Sequence, residues 1–233
     1  RAYHNKTGLG NYSRDLIKIL TTFFPENQYF LFNPKKSKEK LFKISSNNIK
    51  ERLPSSLFNK KFYNIWRQKR IIHDLEKDNI SIFHGLSGEL PSGLKKKNIR
   101  SVVTIHDLIF IRYPHLYSLF DRKIHFYKFK KAAQQADIVI AISEQTKKDI
   151  IEFLKIPSTK IKVIYQGWQD IFKQSFTFLE KQKIRNKYNL PHDFILNVGT
   201  VEERKNALTI VKAIKKIDTT LVLIGRETDY SKR

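Results

Sequence analysis

Residues 137–154 read DIVIAISEQTKKDIIEFL. Ile138 to Ile142 form one unbroken apolar run, short enough for a strand and continuous as in a strand covered on both faces. Ser143 then offers the small hydroxyl that suits a helix N-cap. Thr146, Lys147 and Lys148 fall in the first turns of the helix that follows. The stretch therefore predicts a strand that passes directly into a capped helix.

The same alternation extends in both directions. Strands are predicted at 28–32, 80–85, 101–107 and 160–167. Helices are predicted from Gly10-Asn11-Tyr12-Ser13 onward, at 57–79 and at 121–136. Residues 35–56 are polar and Lys-rich and read as a loop. Strands that alternate with crossover helices predict a doubly wound α/β fold with a parallel sheet. The pattern breaks after Gln166-Gly167-Trp168, and a helix at 179–190 precedes Pro191. FILNVGT then begins a fresh strand, helix, strand series. We assign residues 1–170 to a first domain, 171–189 to a linker and helix, and 190–233 to the start of a second domain. That last piece supplies one βαβ unit of the usual ~30 residues.

Composition narrows the chemistry. The chain has 233 residues, 40% of them hydrophobic, with 17 Phe and 10 Tyr, which is a globular balance. It contains no Cys, which excludes disulfides, thiolate nucleophiles and Cys-ligated metal and fits a reducing compartment. No run approaches a membrane-spanning length. The chain also has no Met, even at position 1, so Arg1 is read as a false start and the chain as a fragment. The net charge is +23. Residues 35–70 carry twelve Lys or Arg against two Glu, and Lys95, Lys96, Lys97 and Arg100 add a second cluster. Such charge attracts polyanions; solvated lysines on every outer face are the plainer reading.

Four places carry candidate chemistry. TGLGNYS at 7–13 sets Gly8 and Gly10 before a helix, where backbone N–H groups approach a phosphate or where a tight turn needs glycine. His106-Asp107 closes a strand at the edge where α/β proteins bind ligands; the Asp either orients the His or caps the next segment. His84-Gly85 closes another strand. Arg204-Lys205 stands at a helix start, where the backbone dipole is already positive and a cation is a mild penalty. An anion in that spot would reconcile the two, as would plain solvation. There is no GxxxxGK[ST], HExxH or GxSxG motif and no Asp-x-Asp, so no metal-holding carboxylate pair is evident.

Taken in order, KTGLGNYSRDL, FHG, VVTIHDLIFIRYP, AADIVIAISEQTKKDII, IKVIYQG and ILNVGTVEERKNALTIVKAI resemble the family-four retaining glycosyltransferases, especially bacterial mannosyltransferase-like members. The resemblance spans essentially the whole chain, and its most specific blocks are HDL…YP and VGT…RKN. It implies the GT-B fold: two Rossmann-like domains, an acceptor side and a nucleotide-sugar side, facing each other across the active site. It implies metal-independent transfer of a hexose, mannose from GDP-mannose favoured, to a polysaccharide or lipid-linked acceptor with retention. Arg204 and Lys205 then lie against the donor diphosphate, with Gly8 and Gly10 facing the same phosphates. His106, with Asp107, lies at the transferred sugar, and His84 and Gly85 serve the sugar or acceptor. No cofactor beyond the nucleotide-sugar is implied.

The family's Glu-x7-Glu donor motif and its first strand are absent from the sequence, so the chain alone is expected to be inactive. A cytoplasmic location is expected, with peripheral contact to an anionic inner membrane face. The alternatives are a non-catalytic remnant and a basic nucleic-acid-binding protein; the latter lacks a recognition helix, zinc site or aromatic RNA-binding block.

Overall fold

The computed structural model describes residues 2–37, 41–43 and 46–232. Arg1, and Lys38 and Lys40 of the basic stretch, lie outside the described residues. The chain divides into two compact units, Arg1–Trp168 and Gln169–Arg233.

The first unit opens with α1 (Gly8–Phe23), β1 (Tyr29–Phe32) and β2 (Ile49–Arg52). A helical run follows: α2 (Leu57–Lys61), α3 (Tyr63–Ile65), a π-helical turn over Trp66–Arg70, and α4 (Ile71–Lys77). Then come β3 (Ile82–Gly85), β4 (Arg100–Ile105), α5 (Ile109–Arg112), α6 (Leu119–Gln135), β5 (Ile138–Ala141), α7 (Glu144–Leu154) and β6 (Ile161–Val163). Strands β3 to β6 pair in sequential order as one parallel sheet, while β1 and β2 form a separate parallel pair. The architecture is therefore α/β with parallel sheets, as the alternation predicts. Helices α6 and α7 carry the β4–β5 and β5–β6 crossovers, while β3 reaches β4 through a connection whose one helical piece is a 3-10 turn at Lys95–Lys97. Each is long enough for the dozen or so residues that parallel neighbours need.

Several details differ from the sequence reading. The strand read over 160–167 spans only Ile161–Val163, and the helix read over 57–79 is broken after Lys61 and again by the π-helical turn. Strand β2 lies inside the stretch read as a loop. Its sequence, Ile49-Lys50-Glu51-Arg52, has one apolar residue, and its ladder with β1 makes it a strand. Charged side chains of this kind are typical of sheet edges. A further difference concerns coverage. Val103, Ile105, Val139 and Ala141 are buried beneath Ala132 and Ala133 of α6 and Ile150 and Leu154 of α7. Side chains alternate along a strand, so Val102, Thr104 and Ile138 take the other face. There α1 reaches Thr104 through Tyr12, but Ile138 stays 41% exposed. That face is covered only in part.

The N-cap reading of Ser143 matches the structure. Its hydroxyl accepts the Thr146 N–H at 3.1 Å, an interaction worth about 1 kcal/mol. A second core gathers Trp66, Ile71, Ile72, Leu75, Leu94 and Ile99. The indole N–H of Trp66 donates to Asp74 Oδ2 at 2.6 Å, which satisfies its polar edge inside the core.

The second unit contains α8 (Phe178–Tyr188), β7 (Phe194–Val198), α9 (Ala207–Ile214) and β8 (Thr220–Ile224), with β7 and β8 parallel. A capping box of Thr177 and Glu180 starts α8. A Cβ on Gly225 would stand 1.7 Å from the Gly199 carbonyl oxygen, so the ends of β7 and β8 meet only because glycine is there. Among the described residues of this unit only Ala207 is buried. No helix among the described residues is long and apolar enough to cross a membrane.

Candidate functional site

The ladder between β3 and β4 places His84 beside Val102. Alternation then carries His84, Thr104 and His106 to one face of the sheet. Thr104, fully buried, holds its hydroxyl 2.9 Å from His84 Nε2 and 3.0 Å from the Tyr12 hydroxyl. A hydroxyl donates once and accepts twice, so Thr104 serves both neighbours. Burial lowers the His84 pKa to about 4, because desolvation disfavours the charged ring. Burial likewise raises the Tyr12 phenol, against a smaller opposing effect of its hydrogen bond to Thr104. The cluster is thus neutral at pH 7.

His106 is fixed on several sides. Its Nε2 lies 3.0 Å from the Leu86 carbonyl. A carbonyl only accepts, so this nitrogen carries the proton. The Gln166 side-chain amide lies 3.1 Å from Nδ1 and donates to its lone pair. These partners assign the neutral Nε2–H tautomer. The Tyr12 ring stands edge-on to the imidazole. The backbone carbonyl of His106 accepts from Thr146 Oγ1 at 3.0 Å, tying the end of β4 to the first turn of α7.

Asp107 turns away from this cluster. It is exposed, and its Oδ1 accepts the Ile109 N–H at 3.3 Å, which caps α5. Gly85 answers a packing demand, since a Cβ there would meet the Glu89 carbonyl oxygen at 2.1 Å. The close return of this loop presents the Leu86 carbonyl to His106. Gly8 and Gly10 lie in the first turn of α1 rather than ahead of it. A Cβ on Gly10 would stand 1.8 Å from the Asn5 carbonyl oxygen, whereas Gly8 has nothing within 4 Å. Asn5 Oδ1 accepts from the N–H groups of Thr7 and Gly10, at 2.7 and 3.2 Å. Arg14 clamps the Asn5 carbonyl at 2.9 Å.

In the second unit, Arg204 and Lys205 end a short 3-10 turn, Glu203–Lys205, one residue before α9. Arg204 pairs with Glu202. Lys205 makes no ion pair among the described residues. Asn206 stands at the helix cap and sends no side chain to the first-turn N–H groups. The two cations therefore differ: one is already neutralised, and one faces solvent at the start of α9, where the Thr209 N–H donates to the Asn206 carbonyl at 3.1 Å.

Sequence reasoning missed Tyr12, Thr104 and Gln166. Thr104 carried a signal, as the one hydroxyl among the apolar residues of VVTI before His106. Tyr12 and Gln166 carried none, because their roles depend on how α1 and the exit of β6 cross the sheet.

The Glycosyltransferase Family 4 profile matches residues 11–168, more than half of the chain. The chain belongs to this family. The serotype-specific mannosyltransferase WbdA of Escherichia coli is 29% identical over 146 residues, which cover 61% of this chain and 18% of that protein. A second WbdA sequence from the same species is 27% identical over 146 residues. The chain thus spans only 18% of the length of these relatives. Among solved structures, Anabaena Alr3699/HepE in complex with UDP is similar, with a TM-score of 0.55 and 15% identity over 79% of this chain and 50% of that one. A glycosyltransferase from Rickettsia africae is also similar, with a TM-score of 0.52 and 14% identity over 97% of this chain and 67% of that one. The fold of this family-four chain is the GT-B type of these glycosyltransferases.

Proposed function

We propose that the chain serves the transfer of a hexose, mannose favoured, from a nucleotide-diphosphate sugar to a polysaccharide or lipid-linked acceptor, with retention and without a metal. The observation that carries this reading is the pair of strand-end histidines locked to one face by Tyr12 and Thr104 in a chain of this family. Similarity to WbdA favours mannose, and hence GDP-mannose as donor. Similarity to a structure holding UDP supports a nucleotide-diphosphate donor.

In this reading a neutral His106, oriented by its Nε2–H bond to the Leu86 carbonyl, accepts at Nδ1 from a sugar hydroxyl that takes the place of the Gln166 amide. Asp107 supports that position by capping α5 rather than by touching the sugar. His84 and Gly85 shape the acceptor edge from within the sheet. The charge that develops on the departing diphosphate falls to Lys205 and the first-turn N–H groups of α9. Fixed donors stabilise such charge without reorganisation. At the start of α1 the N–H groups of Thr7 and Gly10 are already taken by Asn5 Oδ1, so a phosphate there would fall to the N–H groups of Gly8 and Leu9. The departing phosphate oxygen takes the acceptor proton. A peripheral seat on an anionic cytoplasmic membrane face belongs to the same reading.

Calorimetric titration with GDP, UDP and GDP-mannose tests it. We expect diphosphate-dependent binding that Lys205→Ala weakens about tenfold or more, a loss of ~1.4 kcal/mol, and that Arg204→Ala weakens less. A folded chain with no nucleotide affinity would sink the proposal. The chain alone should show little turnover, and sugar transfer at the rate of a complete enzyme would refute that expectation.

A further inference from the structure

Strand β6 ends at Val163, and the Ile164 N–H adds one more bond to the ladder, to the Ala141 carbonyl at 3.0 Å. From Tyr165 to Trp168 the chain then runs exposed to the end of the first unit. Tyr165 and Trp168 are 69% and 72% exposed, and a Cβ on Gly167 would meet nothing within 4 Å. Among the described residues these four make a single hydrogen bond, from the Gln166 side-chain amide to His106 Nδ1 at 3.1 Å. The segment that leads to the second unit is therefore tethered to a histidine of the candidate site.

The tether competes with the chemistry proposed for the ring. His106 Nε2 carries the proton that goes to the Leu86 carbonyl, so Nδ1 holds the one accepting lone pair of the neutral imidazole. A single lone pair serves one donor at a time. While the Gln166 amide occupies it, a sugar hydroxyl does not. Gln166 is itself exposed, and a neutral hydrogen bond open to water is only slightly favoured over its solvated alternatives. A hydroxyl presented by a bound sugar can therefore displace it.

We propose that Gln166 is a positioning residue with two states. Without substrate its amide stands in for the sugar hydroxyl at His106 Nδ1 and holds Tyr165–Trp168 to the first unit. When the hydroxyl takes that lone pair, the amide leaves and the segment is released. A ligand shifts an equilibrium only by its different affinity for the two states, and here the difference is one lone pair. Occupancy of the site is thereby passed to the segment from which the second unit continues. This deepens the role given to His106 in the proposed function and rests on it.

Two readouts test the tether in the full chain without ligand. Proton–nitrogen NMR of the His106 ring reports the donor at Nδ1, and tryptophan fluorescence anisotropy reports the mobility of Trp168. The other tryptophan, Trp66, is fully buried and gives a constant background. Gln166→Ala should shift the Nδ1 resonance and lower the anisotropy. Tyr165→Ser, at a neighbour without a hydrogen bond of its own, should do neither. Gln166→Glu sets a carboxylate against Nδ1 and should raise the ring's pKa by about one unit or more. Ligand then tests the release. GDP-mannose should lower the wild-type anisotropy to the Gln166→Ala level, and GDP, which lacks the sugar, should not. Gln166→Ala should bind GDP-mannose about threefold or more tighter with GDP affinity unchanged, because the closed state no longer competes.

An unmoved Nδ1 resonance or an unchanged anisotropy in Gln166→Ala would overturn the proposal. Weaker GDP-mannose binding by that variant would also overturn it and make the amide a lasting partner of the ring in the sugar-bound state. If GDP-mannose binds and the wild-type anisotropy stays high, the release fails while the transfer reading stands. If neither nucleotide binds, the transfer reading falls and the release falls with it, while the two ligand-free readouts still decide the tether.

Discussion

The ring of Tyr12 stands edge-on to that of His106, with centroids 4.7 Å apart and planes at 86°. Such a T-shaped contact points the positive edge of one ring at the negative face of the other. Tyr12 cannot drift from this position, because its hydroxyl is held by buried Thr104. Thr104 in turn engages His84. One hydroxyl therefore connects the two histidines singled out at strand ends, through a residue on α1.

Thr104→Val should expose the value of this connection. Valine matches the volume of threonine but leaves the Tyr12 hydroxyl and His84 Nε2 without their partner. An unsatisfied buried polar group costs about 1–3 kcal/mol. We expect a loss of that size in urea unfolding, and a smaller loss for Tyr12→Phe, which removes only one end. The double variant should fall short of additivity, because the residues share one network. Additive losses would mean that the three groups act independently.

His84 should make stability depend on pH. Its folded pKa of about 4 lies below the 6.5 of a free imidazole. The fold prefers the neutral ring, so the unfolded chain takes up the proton first as pH falls. The stabilisation is complete above about 6.5, is lost as pH drops toward 4, and changes no further below that. The full window amounts to roughly 3 kcal/mol at ~1.36 kcal/mol per pKa unit. Unfolding free energies measured from pH 7 to 4 should fall more steeply for the wild type than for His84→Gln. Parallel curves would show that His84 titrates normally in the fold.

The alternation of DIVIAIS with EQTKKDIIEFL was enough to read the parallel α/β architecture, because both periodicities are strong and Ser143 marks the boundary. The β2 segment IKER was not readable. Only its pairing with β1 makes it a strand, and pairing is not a local property. The histidine positions were legible because a polar residue that ends an apolar run stands at the ligand-binding edge of such a sheet. Their protonation and orientation were not, since these come from Thr104, Tyr12, Gln166 and Leu86, which are far apart in sequence. Nothing in the residue pattern by itself separated Arg204 from Lys205. The pairing of Arg204 with Glu202 separates them, and a charge two residues away is easily passed over in so basic a chain.

The two units should differ sharply in hydrogen exchange. Among the described residues of the second unit only Ala207 is buried, while Val198 and Ile224 at the ends of its strands are 69% and 55% exposed. Protection requires buried, densely packed surroundings. Amides of β4 and β5 should therefore exchange only on global unfolding of the first unit, and those of β7 and β8 orders of magnitude faster. Comparable protection in both pairs would mean that the second unit has a core that its exposure does not reveal.

The two glycines of α1 separate a structural demand from a binding one. Gly10→Ala places a methyl 1.8 Å from the Asn5 carbonyl oxygen, and Arg14 clamps that oxygen in place. The turn cannot yield without breaking this bond, so we expect a loss of at least about 2 kcal/mol, in the range of overpacked sites. Gly8→Ala meets nothing within 4 Å and replaces glycine in a first helical turn, where alanine is preferred by up to ~1 kcal/mol. It should be neutral or slightly stabilising in urea unfolding. Nucleotide binding then decides its role. If Gly8→Ala weakens GDP binding severalfold while stability holds, the start of α1 lies close to the phosphates. Unchanged binding by a stable Gly8→Ala variant would remove Gly8 from the diphosphate site and leave Gly10 with a purely structural task.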